Sequence, residues 1–551
     1  MPCVRRLLGL FTAPTLMCAA YGLLLLSWAM SNAPFAGADE TSHYVRAIAV
    51  GNGQLVGPLD PYTTADFPNS PITLAWLNDA TRAVTVPGDK LSRTATCNTF
   101  HARESAACLE DDLRPITGPT VLQNPVGNYQ PLPYVLPGLG IDRVDGPFTA
   151  ALVGRLVSAF VCWLFLCLAV RLAWNREAPS LIGTALAVTP MVLFTASIIN
   201  PSGLEIATGL AFAAAVLRLR RHARPPAWVW TATAVSGLAL SLSRSPGPVW
   251  MVMDLVVLVL LLGGRETRRR LRAQPIAAAT TMLVLVLGIA VNRVWEGLYG
   301  SHLRLTLAEV QALGPPSNTL VDFLFSQQIG NFGWTETPMS PTLIRLWFAL
   351  IILLLAIALV VGTARERAVL LLAVAGCFLV TIGLPVVFQA GTGFSAQGRH
   401  LLPVTVMLPL LAGHILTEHR TSLPSPPWAG ARGEGRSVVG VLATVAALLV
   451  AALVAALQVG GWYTNSRRNA VGAAGPRWFF AQPQWQPPLG WYPWLAITLV
   501  AAALTVVALC LPGGLLPARP IRSAPPTPSP VSTDIPDPAE DDRRRPAVSG
   551  R

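Results

Sequence analysis

Long apolar blocks separated by short charged connections dominate the chain. The clearest blocks lie at 23–28, 153–170, 255–262, 350–361 and 438–457. Crossing the hydrocarbon core takes about 20 mostly apolar residues in a helix, and a segment in lipid must satisfy its backbone as a helix or a closed barrel. Because these blocks are continuous rather than alternating, they predict helices rather than barrel strands.

This pattern predicts an all-α polytopic membrane protein with about twelve transmembrane helices. We place the spans at 8–30, 149–171, 179–197, 202–219, 226–243, 247–264, 275–294, 343–363, 367–388, 400–417, 437–460 and 491–512. The two spans around Ser243–Pro248 could instead form one re-entrant pair. The first span follows two arginines, as in a signal peptide. No convincing cleavage site follows it, although cleavage at Ser31–Ala33 stays an open alternative. We therefore interpret the first span as a retained helix.

The connections divide the chain into six parts. These are the first helix (1–30), a large extracytoplasmic loop domain (31–148), helices 2–7 (149–294), a second extracytoplasmic loop (295–342), helices 8–12 (343–512) and a disordered cytoplasmic tail (513–551). Arginine clusters in the short connections predict the cytoplasmic side. Both termini are then cytoplasmic in a multi-pass protein of the bacterial plasma membrane, and no inverted repeat of the transporter type is evident.

Composition and charge agree with this topology. The 551 residues are 52% hydrophobic and 12% charged, about half the charged fraction of a soluble domain. The net charge of +12 comes almost entirely from arginine, since Lys90 is the only lysine. A basic chain could bind nucleic acid, but the arginines lie in short connections where they set topology, so we expect no nucleic-acid partner. No Walker, Gly-x-Gly-x-x-Gly or His-Glu-x-x-His motif supports a nucleotide fold or a zinc protease.

Two of the eight cysteines differ from the rest. Cys97 and Cys108 are the pair in the long polar loop, whereas the other six lie in or beside apolar blocks. If that loop faces an oxidising compartment, the two predict a disulfide. A metal pair is the alternative, and no further cysteine or histidine cluster joins them.

An acidic motif follows the first span directly. Asp39 and Glu40 are adjacent, and His43 lies three residues after Glu40. If a helix starts at Asp39, then Glu40 and His43 share a face. A carboxylate at the low-dielectric boundary can act as a base or hold a divalent cation. The alternative is helix capping by Asp39 beside a solvated Glu40.

Four further segments carry candidate residues for substrate binding. Residues 124–134 include Tyr129 and Tyr134, and 197–205 include Asn200 and Glu205. Ordered loop structure and helix capping are the respective alternatives.

The other two segments lie later in the chain. Trp334 is in 330–338, where an interfacial aromatic turn is the alternative. Arg399 is in 397–403 and could clamp a phosphate or snorkel to headgroups. Arg155, Asp254 and Arg293 fall inside predicted spans, where charges are usually paired or functional, although Arg155 and Arg293 could lie near the outer interface.

In this order, the motifs resemble those of a bacterial family of polytopic membrane proteins known as domain of unknown function 2142. The chain reads ADETSH at 38–43, NYQPLPY at 128–134, SIINPS at 197–202, FGW at 332–334 and GRHLLP at 398–403. Ala38, Ser202 and His400 depart from the family's usual proline, acid and tyrosine. The resemblance covers roughly residues 8–460.

That family in turn resembles the GT-C glycosyltransferases, which use polyprenyl-phosphate sugars. The resemblance implies a GT-C-like fold, with Asp39 or Glu40 deprotonating an acceptor hydroxyl and external arginines holding the lipid phosphate. It also implies that the loop 31–148 helps to form the acceptor cleft.

We therefore favour a membrane glycosyltransferase that moves a sugar from a polyprenyl-phosphate donor to a glycan, lipid or protein acceptor of the cell envelope. Asp39 would be the base, Glu40 a second acid or metal ligand, His43 an orienting donor and Arg399 the phosphate clamp. No cofactor is certain, but Mg²⁺ or Mn²⁺ could bind Asp39 and Glu40. The alternatives are a transporter or flippase for a lipid-linked glycan or small solute, and a non-catalytic scaffold or sensor.

Overall fold

The predicted helical blocks are helices in the structure, a computed structural model. It describes residues 12–62, 71–92, 95–109, 116–175, 178–301, 318–394, 396–419 and 438–510. All of them belong to one compact unit, Met1–Leu515. The predicted tail 513–551 and the start of the predicted first span lie outside the described residues.

The elements of the first half of the chain follow in sequence order. They are α1 (Ala13–Ser31), α2 (Glu40–Gly51), α3 (Pro71–Ala80), β1 (Arg82–Val86), β2 (Thr120–Asn124), α4 (Leu132–Asp142), α5 (Pro147–Ala173), α6 (Ala178–Ala187), α7 (Pro190–Ala196), α8 (Pro201–Arg221), α9 (Ala227–Ser241), α10 (Gly247–Leu262), α11 (Gly264–Ala273) and α12 (Pro275–Tyr299).

The second half adds α13 (Asn318–Gly330), β3 (Asn331–Phe332), β4 (Thr337–Pro338), α14 (Pro341–Val361), α15 (Ala364–Thr392), α16 (Leu402–Thr405), α17 (Met407–Glu418), α18 (Val438–Val471) and α19 (Trp491–Cys510). Short 3₁₀ turns occur at Gly88–Lys90 and Gly398–His400.

The all-α polytopic class is confirmed, but a count of twelve spans is not. Within the described residues, eight helices are long and apolar enough to cross a membrane, or nine if α10 and α11 form one bent span. The other predicted spans are short or broken helices. Pro190 starts α7 after the capping residue Thr189, and Gly263, at φ 79°, separates α10 from α11, which bend by 102°.

Helix α8 lies at the centre of the bundle. Almost all of its residues are buried, and it packs against α5, α9 and α10. Seven of its 21 residues are alanine or glycine, which permits close approach of neighbouring backbones. A Cβ at Gly209 would lie 3.1 Å from the Pro403 carbonyl oxygen, so α16 rests directly on α8.

The described residues between 31 and 148 form a layer with its own apolar core. Strands β1 and β2 pair antiparallel, α2 packs on α4, and Tyr44, Val84 and Tyr134 are among the buried residues between them. Lys90 is buried at the edge of this layer. Its ammonium bonds the Val144 carbonyl and lies 3.1 Å from the Asp89 carboxylate.

The predicted disulfide between Cys97 and Cys108 is present, with an S–S distance of 2.05 Å. The loop that it closes is attached to the end of α18. The Ala106 amide donates to the Asn469 carbonyl at 2.9 Å, and Arg468 donates to the Asn98 carbonyl at 2.7 Å. The loop domain and the late helices are therefore linked by hydrogen bonds.

Candidate functional site

The site begins at Asp39, the residue before α2. Its backbone lies in the left-handed region with φ 58°, a conformation that aspartate tolerates better than most residues. The backbone amide of Glu40 bonds the Gly37 carbonyl, which closes the turn leading into the helix. The Asp39 side chain makes no capping hydrogen bond to α2. Its carboxylate is thus left to contact another element.

That element is the 3₁₀ turn containing Arg399. A guanidinium nitrogen, Nη2, donates to Oδ2 of Asp39, which lies 360 residues away in sequence. The Asp39 side chain is 40% exposed and the Arg399 side chain 4%. Within the described residues, Nε and Nη1 of Arg399 are buried without a hydrogen-bond partner. The pair therefore presents an accessible carboxylate beside N–H groups that can still bind an anion.

Close packing fixes the backbone that carries Arg399. The Gly398 amide donates to the side-chain oxygen of Gln327 in α13. A Cβ at Gly398 would lie 2.5 Å from the Leu324 carbonyl oxygen, which real structures do not tolerate, so only glycine fits. Leu402, three residues after Arg399, begins α16 and continues the chain into the bundle.

The charge of Arg399 controls the ionisation of Asp39. Burial opposes ionisation of this carboxyl, but the positive charge of Arg399, with a smaller contribution from Arg244, outweighs it. The pKa of Asp39 is held below its usual range. Asp39 is accordingly a carboxylate at neutral pH, as a proton acceptor must be.

His43 lies one turn into α2, on the same side as Asp39. Its Nδ1 shares a hydrogen bond of 2.9 Å with the Tyr134 hydroxyl, and its ring contacts Tyr129 at 5.8 Å between centroids. Burial lowers the pKa of His43 to about 3, so the imidazole is neutral at physiological pH. Burial also raises the pKa of Tyr134. These side chains line the site as neutral hydrogen-bonding groups.

Glu40 points away from Asp39. Arg155 of α5 donates to both of its carboxylate oxygens, at 2.6 Å from Nε and 2.5 Å from Nη2. The amides of Gly37 and Ile199 donate to the same carboxylate at 3.1 and 3.2 Å. The Glu40 side chain is 1% exposed. With its oxygens occupied in this way, Glu40 acts as a structural link between α2, α5 and the turn before α8.

Asn200 also helps to hold the backbone beside Asp39 in place. Its side-chain oxygen accepts from the Ser202 amide at 2.9 Å and thereby caps α8. Its side-chain nitrogen donates to the Ala38 carbonyl at 3.0 Å. Asn200 therefore holds the residue next to Asp39 against the start of the central helix.

Sequence reasoning missed the role of the turn between α9 and α10. Nη1 of Arg244 donates to Oγ of Ser202 at 3.1 Å and lies 3.6 Å from the carboxylate of Glu205. Glu205 is wholly buried and accepts from the Trp250 indole at 2.9 Å. Arg244 lies mostly buried beside Tyr129, with which its side chain interacts. The signal in the sequence was a lone arginine in the turn between two predicted spans.

Trp334 lies in a different environment. It occupies the hairpin between β3 and β4 and contacts Phe100 of the disulfide-closed loop, with ring centroids 5.4 Å apart. The neighbouring Glu336 lies 3.0 Å from Arg468 of α18. Trp334 thus connects the β3–β4 hairpin to the disulfide-closed loop, and its ring contact is with Phe100 rather than with the Asp39–Arg399 pair.

A cation site built from Asp39 and Glu40 would need both carboxylates to face one point. Asp39 bonds Arg399 and Glu40 bonds Arg155. Across the described residues, no group of three or more His, Cys, Asp or Glu side chains is placed to hold a metal ion. The arrangement can accept a proton at Asp39 and bind an anion at Arg399.

Comparison with known proteins gives a family and a distant structural likeness. A family model described as "Predicted membrane protein (DUF2142)" matches residues 23–408. The crystal structure of ArnT from Cupriavidus metallidurans in the apo state is similar at 16% identity and a TM-score of 0.36. That match covers 70% of this chain and 66% of ArnT, so this chain spans just under two thirds of it. No curated protein matches the chain.

Proposed function

We propose that this chain, which belongs to the DUF2142 family of predicted membrane proteins, is a GT-C-like glycosyltransferase. It would transfer a sugar from a polyprenyl-phosphate donor to a cell-envelope acceptor on the extracytoplasmic face. The observation that carries the proposal is the pairing of the accessible Asp39 carboxylate with the buried Arg399 guanidinium. One side chain suits an acceptor hydroxyl and the other a donor phosphate.

The proposed reaction is a single displacement. The acceptor oxygen forms a bond to the anomeric carbon while its proton passes to Asp39. The bond from the anomeric carbon to the phosphate oxygen breaks, and its electron pair leaves with the polyprenyl phosphate. Because Glu40 is buried in its pair with Arg155, no second carboxylate of this motif is free to form a glycosyl-enzyme intermediate, and we expect inversion at the anomeric carbon.

The Asp39–Arg399 pair couples deprotonation of the acceptor hydroxyl to departure of the polyprenyl phosphate. While Asp39 is ionised, it neutralises much of the charge of Arg399. When Asp39 takes the acceptor proton, that charge becomes available to the phosphate as the phosphate gains a second negative charge. Interactions that strengthen in the transition state raise the rate of the chemical step.

An assay of Asp39→Asn tests the proposal. Proteoliposomes would receive radiolabelled polyprenyl-phosphate sugars and envelope extract from a strain lacking the gene, and transfer of label out of the polyprenyl-phosphate pool would be measured. We expect a loss of about 100-fold or more. Asp142→Asn, at an exposed position on α4, is the matched control and should transfer normally. Undiminished transfer by a correctly inserted Asp39→Asn variant would remove Asp39 as the base.

Asp254 favours a second candidate, a transporter or flippase. It is buried in α10, and within the described residues its Oδ2 has no hydrogen-bond partner. Intramembrane carboxyls often belong to translocation pathways. Under this candidate, Asp254→Asn would abolish movement of a fluorescent polyprenyl-phosphate sugar between leaflets, and Asp39→Asn would not. The glycosyltransferase proposal predicts instead that Asp39→Asn abolishes sugar transfer and that Asp254→Asn does not.

A further inference from the structure

We infer that Arg244 is a second anion-binding arginine of this site, held in place by Glu205 and selective for the doubly charged phosphate that leaves the reaction. This inference rests on the proposed function, since it assigns the phosphate product to that reaction. It begins from the position of Arg244 in the turn between α9 and α10, where Asn292 of α12 donates to the Ser241 and Arg244 carbonyls at 2.7 and 3.1 Å.

A chain of hydrogen bonds connects this turn to Asp39. Arg244 donates to Ser202 at 3.1 Å, the Ser202 amide donates to Asn200 at 2.9 Å, and Asn200 donates to the Ala38 carbonyl at 3.0 Å. Ala38 precedes Asp39 directly. The Tyr129 ring contacts His43, and its side chain interacts with Arg244. The charge of Arg244 also acts on Asp39 and on Arg399, so Arg244 lies in the neighbourhood of the Asp39–Arg399 pair.

Glu205 explains how Arg244 is held. Its carboxylate is wholly buried, lies 3.6 Å from Arg244 and accepts the Trp250 indole hydrogen at 2.9 Å. A distance of 3.6 Å is a charge contact rather than a hydrogen bond, and Oε2 of Glu205 has no hydrogen-bond partner within the described residues. Glu205 is thus a positioning residue, and the guanidinium keeps donors for another ligand.

The charges of the site fit a phosphate that gains charge. Arg399 is paired with Asp39 and Arg244 with Glu205, so these four side chains are neutral as a set. A donor phosphodiester carries one negative charge, and the released phosphate monoester carries nearly two above neutral pH. Once Asp39 accepts a proton, the set carries one positive charge facing the leaving phosphate. Arg244 adds a second guanidinium near this phosphate, and its attraction grows as the phosphate gains its second negative charge.

Binding of two probes tests the inference directly. Farnesyl phosphate supplies the dianion at mildly alkaline pH, and its methyl diester supplies the monoanion. Because a Coulomb energy scales with ligand charge, Arg244→Gln should weaken the diester about threefold and the monoester about tenfold. Arg293→Gln removes an exposed arginine next to Asn292 and should change neither. A change of under twofold for both probes in Arg244→Gln would overturn the inference.

A second variant covers the case in which Arg244→Gln does not fold. Arg244→Lys keeps the charge but loses the planar fork that can bond Ser202 and a phosphate together. We expect a loss of about three- to fivefold for the monoester and little change for the diester. Unchanged binding of the monoester would again overturn the assignment.

Kinetics separate this inference from the proposed function. In sugar transfer, Arg244→Gln should lower kcat several-fold and raise the donor KM by no more than the threefold expected for the diester probe, since the extra charge develops only as the bond breaks. If the wild type binds both probes as described but transfers no sugar, then the anion site stands and the glycosyltransferase proposal fails. If transfer proceeds and Arg244→Gln matches the wild type in kcat and in probe binding, this inference fails alone.

Discussion

Arg155 donates to both carboxylate oxygens of Glu40, at 2.6 and 2.5 Å, in an ion pair that is almost completely buried. Removing one partner of such a pair leaves an uncompensated buried charge and costs about 3–5 kcal/mol. We therefore expect Glu40→Gln to lower thermal stability strongly. Glu266→Gln, which breaks an exposed pair on α11, is the matched control and should change stability little. A Glu40→Gln variant as stable as the wild type would refute the structural role.

The charge of Arg399 should set the acid limit of activity. Arg399 lowers the pKa of Asp39, so the wild type should keep its base ionised at all pH values above the usual range of an aspartate. In Arg399→Gln the pKa of Asp39 rises, and the fall in kcat/KM on acidification should begin at higher pH. The measurement is the pH profile of kcat/KM for residual transfer. An unshifted acid limb would mean that the two groups are not coupled in the working enzyme.

His43 should make the fold sensitive to mild acid. Its pKa is about 3 when folded and 6.5 in its ordinary state, so the unfolded chain binds more protons between these values. Stability is then lost as pH falls from about 6.5 towards 3, by up to tenfold in the unfolding equilibrium per pH unit. His43→Gln should reduce that loss, measured as melting temperature against pH. His101→Gln, at an exposed position, should not.

Gly398 should be essential for placing Arg399. A methyl group there would meet the Leu324 carbonyl and the Gln327 side chain at 2.5 Å. Gly398→Ala should displace the turn and lower sugar transfer about tenfold or more, since small displacements of catalytic groups are costly. Gly376→Ala places the same methyl group where nothing lies within 4 Å, and activity should be retained. Equal activities of the two variants would contradict the placement of Arg399.

The apolar pattern was sufficient to predict the helical membrane class because burial in lipid requires long apolar helices. It did not predict which helices break. The interruption at Thr189–Pro190 and the bend at Gly263 depend on local capping and glycine geometry within continuous apolar runs. Hydropathy is averaged over a window of many residues, so a break caused by one or two residues leaves the average almost unchanged.

The acidic motif was found from the sequence, but the different roles of its two carboxylates were not. Asp39 and Glu40 are adjacent and chemically alike. Their fates differ because a left-handed residue precedes the helix and directs one side chain to Arg399 and the other to Arg155. Those partners lie 360 and 115 residues away. Tertiary packing, rather than spacing along the chain, decides such pairings.

Because Lys90 is buried, we expect its side chain to react slowly with amine-reactive reagents. It is the chain's single lysine, is 5% exposed and has its ammonium engaged by the Val144 carbonyl. A lysine introduced at an exposed position such as Asp142 would stand out against that background in intact cells. Modification of that lysine by a reagent that cannot cross the membrane would then reveal which compartment α4 and the neighbouring Asp39 face. Asp142 would be the one native residue replaced.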